Sequence, residues 1–169
     1  MPGDLTLRPL AVEDVPPAEA LLDAVLAGRN QARLGETLDV LAPGLAGAGA
    51  WDGELLVGLA TWTPPDPAAR SELAALAVAP GRRGEGLAAR LVEAAADAAR
   101  AAGAAAQWLV TTNDNLDALR LYQRHGYRLV RVRPGAVDEA RRAKPAIPET
   151  GAYGIPLRDE LVLERDLAG

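Results

Sequence analysis

The chain reads as an α/β fold in which helices flank a mixed sheet, and three observations point there. An apolar run at 73–78 leads into the turn PGRRGEG and then into apolar residues three and four apart, which is a strand, a tight turn and a helix. Asp52-Gly53 lies between two apolar stretches, the pattern of a two-residue antiparallel hairpin. Elsewhere period-2 and helical stretches interleave, in the order strand, helix, antiparallel strands, strand, helix, strand, helix and two strands.

The 169 residues suit one domain, spanning 1–169, with a sizeable core. Aromatic residues make up only 4% and Phe is absent, so Leu, Val and Ala must fill that core. Without Cys there is no disulfide, thiolate metal site or cysteine nucleophile, and no metal is expected. The net charge of −5 argues against nonspecific nucleic-acid binding and tolerates a cationic substrate. The start MPGDLTLRPL carries an acid at Asp4 and no long apolar run, so it does not read as a secretory signal. No stretch is apolar for long enough to cross a bilayer, and the expected location is the cytoplasm.

In chain order, residues 5–10 alternate as a first strand, with Pro9 marking an edge or an early end. Residues 13–27 form a first helix, with Val15, Ala18, Leu21, Leu22, Val25 and Leu26 on one face and Pro16-Pro17 in its first turn. Leu34, Leu38, Val40 and Leu41 suggest a short second helix before the glycines at 44, 47 and 49. Two strands flank Asp52-Gly53, and a proline-rich loop, 63–70, leads to the strand at 73–78. The helix from Leu87 closes at Gly103, and a buried strand follows at 107–112. Asp114 or Asn115 caps a helix that ends at Gly126. Residues 127–132 and 161–167 form the last two strands, with the Arg128, Arg131, Arg133 series on a solvated face and His125 at the surface. Trp62 and Trp108 read as core. The connection 133–158 holds four prolines and a short helix at 137–143. Its length marks it as functional or mobile, and its acids Glu149, Asp159 and Glu160 suit a cationic ligand.

The turn at 80–86 carries chemistry. Gly84 and Gly86 lack a Cβ, so a ligand can approach their backbone amides closely. Those amides, with the first free ones of the helix and the positive end of its dipole, suit phosphate oxygens, and Arg82 and Arg83 add positive charge.

Arg83-Gly84-Glu85-Gly86-Leu87-Ala88, between its strand and its helix, matches the Arg/Gln-x-x-Gly-x-Gly/Ala signature of the GNAT N-acetyltransferases. Residues 115–127, NLDALRLYQRHGY, match a second and more specific signature, Asn-x-x-Ala-x-x-Leu-Tyr-x-x-x-Gly-Phe/Tyr. With both motifs in order, the chain resembles this family over roughly its central third. The resemblance implies a GNAT-like acyl-CoA N-acyltransferase fold with a mostly antiparallel central sheet. It implies acetyl-CoA as co-substrate, a primary amine of a small molecule or peptide as acceptor, and a monomer or homodimer.

The resemblance also assigns roles. Arg83, Gly84, Glu85, Gly86, Leu87 and Ala88 would hold the pyrophosphate of acetyl-CoA. Leu76, Ala77 and Val78 would pair through their backbone with the pantetheine arm, on a strand splayed from the one at Leu109. Asn115 would bind the same arm, and Tyr122 would point its hydroxyl at the sulfur. Amine attack on a thioester creates an oxyanion that a backbone amide near Leu76 can stabilise. A leaving thiolate, whose acid has pKa ~8.5, can take a proton from a tyrosine of pKa ~10. Glu72, at the start of that strand, stands where several relatives carry a catalytic or substrate-binding acid.

Two rival functions are weighed against this one. A dinucleotide-binding oxidoreductase would also use Gly84-x-Gly86-x-x-Ala89, but wants an acid about 20 residues further on, where this chain has Gly-Ala-Ala-Ala. A non-catalytic acyl-CoA-binding regulator on the same fold is disfavoured by Tyr122.

Overall fold

The computed structural model describes residues 4–169; the first three residues of the N-terminal stretch read above lie outside the described residues. β1 (Leu5–Pro9) ends at its proline, and a 3-10 turn leads into α1 (Val15–Leu26). Pro16 and Pro17 occupy the first turn of α1, where amide hydrogens have no helical acceptor, and Ala18, Leu21 and Leu22 form its buried stripe.

The helix expected within 31–49 is instead a hairpin of β2 (Asn30–Arg33) and β3 (Glu36–Asp39), a two-stranded sheet of its own. Its turn, Leu34-Gly35, has both φ angles positive, +53° and +77°, as a two-residue hairpin turn requires. Leu seldom adopts that conformation, so the turn has no Asn-Gly or Asp-Gly signature. The Leu34, Leu38, Leu41 spacing mimics a helix, while Leu38 and Val40 in fact reach the α1 core as alternate residues of an extended chain.

β4 (Ala46–Asp52) and β5 (Leu55–Trp62) form the expected hairpin, one residue later than its signature suggests: Asp52 still pairs with Leu55, and the two turn residues are Gly53, at φ +58°, and Glu54. There follow β6 (Arg70–Val78), α2 (Leu87–Ala101), β7 (Ala106–Thr112), α3 (Leu116–Arg124), β8 (Arg128–Arg133), α4 (Ala136–Ala143) and β9 (Glu160–Asp166). The main sheet has seven strands in the order β1-β4-β5-β6-β7-β9-β8. Every neighbouring pair is antiparallel except β6 and β7, so this is the mixed, mostly antiparallel sheet expected, with none of the parallel run of a dinucleotide fold.

Two apolar layers clamp the sheet. On one face α1 packs on Leu56, Leu59, Ala75 and Ala77. On the other, α2 and α3 bury Val57, Leu73, Val78, Leu109 and Leu163 together with Tyr122 and Tyr127. Trp62 joins this second core as expected, whereas Trp108 is only half-buried, with the Arg70 guanidinium over its ring at 5.6 Å.

β8 departs from simple alternation. Its register with β9 shifts between Leu129 and Arg131, which makes Val130 an extra residue and explains why the arginines fall at 128, 131 and 133. As an edge strand it also exposes Leu129, Val130 and Val132. Among the described residues no helix is long and apolar enough to cross a membrane.

Candidate active site

β6 and β7 pair over only three positions, from Arg70 opposite Ala106 to Glu72 opposite Trp108. Beyond them β7 stays paired with β9 as far as Thr112, and β6 stays paired with β5 as far as Val78, so the two strands are pulled apart. From Leu73 onward the β6 edge toward β7 has no strand partner, and it presents free amides and carbonyls to a cleft of about 240 Å³. Leu76 lines this cleft. Ala77 and Val78 bury their side chains in the cores on opposite faces and do not line the cavity.

After Val78 a 3-10 turn over Pro80–Arg82 leads to Gly84 and Gly86, at φ +83° and +77°. Gly86 is the N-cap of α2, without a side-chain cap bond, so the first helical amides, at Leu87 and Ala88, remain open. No atom lies within 4 Å of the position a Cβ would take on either glycine. Arg82 does not act as the free cation expected of it: its guanidinium bonds Asp52 at 2.6 Å and Glu85 at 2.9 Å, bracing the turn against the β4–β5 hairpin. Glu85 is thereby held as a brace through its side chain. Arg83 makes no ion pair among the described residues.

α3 brings Tyr122 to the cleft from the α2 side of the sheet, with its ring edge-on to Tyr127 at 5.6 Å. Burial raises its pKa, so the hydroxyl keeps its proton at neutral pH. Asn115 lines the cleft at the start of α3, where its side-chain amide donates to the Thr111 hydroxyl at 3.1 Å. Neither Asn115 nor Asp114 makes the side-chain cap expected. Asp114 instead accepts from the Thr112 hydroxyl and the Ala152 amide, and Asn113 accepts from the amides of Arg158 and Asp159. Residues 134–158 thus brace the rim of the cleft at the β7–α3 loop, and Lys144 reaches the Asn30 carbonyl on the hairpin, yet none of them lines the cavity.

The α1 side carries the charges. Leu73 faces α2, so its neighbour Glu72 faces the other way, at 4% exposure. Both carboxylate oxygens of Glu72 accept from Arg33 at the hairpin tip, Oε1 from Nε at 3.0 Å and Oε2 from Nη2 at 2.8 Å. Burial raises the Glu72 pKa and Arg33 opposes it, with the net direction upward. Glu160, 5% exposed, lines the same cavity and accepts from the Leu34 amide at 2.9 Å and from Arg133 at 3.1 Å. The cleft therefore passes through the sheet, with Tyr122 on one side and Arg33, Glu72 and Glu160 on the other. Sequence reasoning missed Arg33, because nothing local links it to Glu72, 39 residues away. Glu149 and Asp159, the acids expected beside Glu160, do not line the cavity. His125 is not free surface: it bonds Glu93 at 2.8 Å.

Residues 19–127 match the sequence profile of the Acetyltransferase (GNAT) family. A curated Bacillus subtilis relative, the uncharacterized protein YxbD, is 45% identical over 83 residues, which cover 49% of this chain and 52% of that protein. The chain thus spans about half the length of that relative. Among solved structures, an IAA acetyltransferase from Bacillus cereus superposes with a TM-score of 0.77 at 20% identity, over 96% of this chain and 99% of the other. A Bacillus subtilis acetyltransferase in complex with CoA gives 0.74 at 21% identity over 96% and 99%. At such identities the structural likeness speaks for the fold; with the profile match across most of the chain, the protein belongs to the GNAT acetyltransferase family.

Proposed function

We propose that the protein transfers an acetyl group from acetyl-CoA to a primary amine of a small molecule or peptide by direct attack, with no covalent enzyme intermediate. The observation that carries this reading is the splay of β6 from β7, which leaves a strand edge unpaired beside Tyr122. An extended amide-containing arm fits that edge as a strand would. A pyrophosphate fits the open space beside Gly84 and Gly86 at the start of α2. When bound, acetyl-CoA supplies a thioester carbonyl for the amine to attack and a thiolate to leave.

The chain's own groups do the rest. The amides of Gly84, Glu85, Gly86, Leu87 and Ala88 hold the phosphates, with Arg83 contributing its guanidinium because its amide is directed at the Pro80 carbonyl. The backbone of Leu76, Ala77 and Val78 and the Asn115 side chain orient the arm, and an amide near Leu76 faces the carbonyl oxygen as it gains charge. Tyr122, a phenol that carries its proton at neutral pH, donates to the sulfur. Glu72 takes the proton of the incoming ammonium, directly or through water, once Arg33 yields one of its two oxygens.

The test is thiol release on mixing protein, acetyl-CoA and a panel of primary amines. Thiol released in proportion to acetylated amine is the expected result. Calorimetric binding of coenzyme A with no thiol release for any amine would make the protein a binding module.

A further inference from the structure

Tyr122 reaches the cleft as a side chain held by packing. No side chain among the described residues bonds its hydroxyl, and its ring sits edge-on against Tyr127 with the centroids 5.6 Å apart. The backbone repeats that contact, since the Tyr127 amide donates to the Tyr122 carbonyl at 3.0 Å. Where the Tyr122 phenol points therefore depends on where the Tyr127 ring is fixed.

Tyr127 is fixed from two directions. Its hydroxyl donates to Oε1 of Gln107 on β7 at 2.6 Å, and Nε2 of Gln107 donates in turn to the Ala95 carbonyl of α2 at 3.4 Å. The Arg165 guanidinium of β9 lies over its ring at 6.0 Å and is itself held by both carboxylate oxygens of Glu93, at 2.9 and 3.2 Å. The signature at 115–127 accepts Phe at its last position, so the ring alone fills that space and the hydroxyl is an added tether. Bonded to a partner with 0% exposure, it pins the far end of the ring, which apolar packing leaves free to shift. A catalytic donor displaced by about 1 Å can lose about 10²-fold in rate, so a tether one ring away from Tyr122 bears on its chemistry.

We infer that Gln107 and Tyr127 are positioning residues for Tyr122: their hydrogen bond holds the Tyr127 ring where it aims the Tyr122 hydroxyl at the sulfur of coenzyme A. This rests on the acetyl-transfer reading. Neither residue lines the cavity, so both act through Tyr122 and not on a substrate.

The thiol of bound coenzyme A reads that aim without any acceptor. A hydrogen bond from the phenol favours the thiolate over the thiol and lowers the pH at which the thiol titrates. The titration is followed in protein saturated with coenzyme A, as the ultraviolet absorbance difference from protein without it, with saturation checked by calorimetry. The variants are Tyr122→Phe, Tyr127→Phe, and Gln107→Leu combined with Tyr127→Phe, which leaves neither partner buried and unpaired. Tyr122→Phe should raise the titration by about one pH unit, a factor of about ten in the thiol equilibrium. Tyr127→Phe and the paired variant should each give at least about half that rise, and none when Tyr122 is already Phe. A rise with Tyr122→Phe alone, or an equal rise on both backgrounds, overturns the inference and leaves Gln107 and Tyr127 as packing. No difference between Tyr122→Phe and the unmodified protein removes Tyr122 from the sulfur, and no heat with coenzyme A sinks the acetyl-transfer reading; either result takes the inference with it.

Discussion

The turn before α2 follows the unpaired edge of β6, the β2–β3 hairpin lines the cleft beside that edge, and the two are built in opposite ways. The turn works through its backbone: Gly84 and Gly86 take positive φ, the space beside them is empty, and the helix amides are open. What holds it in place is Arg82, which bonds Glu85 three residues on and Asp52 30 residues back. The hairpin works through side chains and long-range bonds, Arg33 to Glu72 across 39 residues and Leu34 to Glu160 across 126. Under the proposed reading, a backbone site would recognise what every acetyl-CoA shares, and a side-chain site, which can change with single substitutions, would set the choice of acceptor.

Four experiments bear on that contrast. The largest effect is expected from Tyr122→Phe, on the cofactor side. If the hydroxyl protonates the leaving sulfur, kcat should fall by about 10²–10⁴ with coenzyme A affinity nearly unchanged, because proton donation matters only in the transition state. Equal turnover by the two proteins would leave Tyr122 as a packing residue against Tyr127.

Gly86→Val comes next. It forces a β-branched residue to φ +77° and puts a side chain into the empty space of the turn. Coenzyme A affinity by calorimetry should drop by roughly tenfold or more, from the cost of about 1–2 kcal/mol for left-handed backbone and the lost phosphate contacts. The Michaelis constant for an acceptor should hardly move. An unchanged coenzyme A affinity would remove the turn from the site.

The third concerns pH, on the hairpin side. Glu72 must be ionised to accept a proton, so kcat/KM should rise with pH through its titration. Burial moves that titration upward from the ordinary glutamate value, against the pull of Arg33. Arg33 lowers the Glu72 pKa, so Arg33→Ala should move the acid limb to higher pH. A limb that stays in place would separate Glu72 from the proton transfer. For stability the sign is reversed: a carboxyl raised on folding adds most below its unfolded pKa, and that contribution is lost as pH rises through the folded one.

The smallest effect is expected from Leu34→Asn, which places at the strained turn a residue that tolerates left-handed backbone. Stability should rise by about 0.5–1 kcal/mol, or roughly 1–4 °C in Tm. With the tip held more firmly, the Michaelis constant for the acceptor should rise while that for acetyl-CoA does not. A drop in Tm would show that Leu34 packs in a way its backbone strain conceals.

The sequence by itself determined the strand, glycine turn and helix around 73–103, the hairpin signalled by Asp52-Gly53, and the motif from Asn115 to Tyr127, because each rests on residues a few positions apart. Positive φ at glycine, apolar periodicity and turn chemistry are local properties, and they are written where they act. Tertiary structure decided the rest. The segment at 30–39 became a hairpin because its turn uses a strained Leu and its tip bonds to two distant acids, neither visible in a window of sequence. Arg82 was withdrawn from the phosphate site by Asp52, 30 residues earlier, and Asp114 from its helix cap by Ala152, 38 residues later. A charged side chain is satisfied by whatever the fold brings within reach, so its partner, and with it the acceptor side of the cleft, exists only once the sheet has assembled.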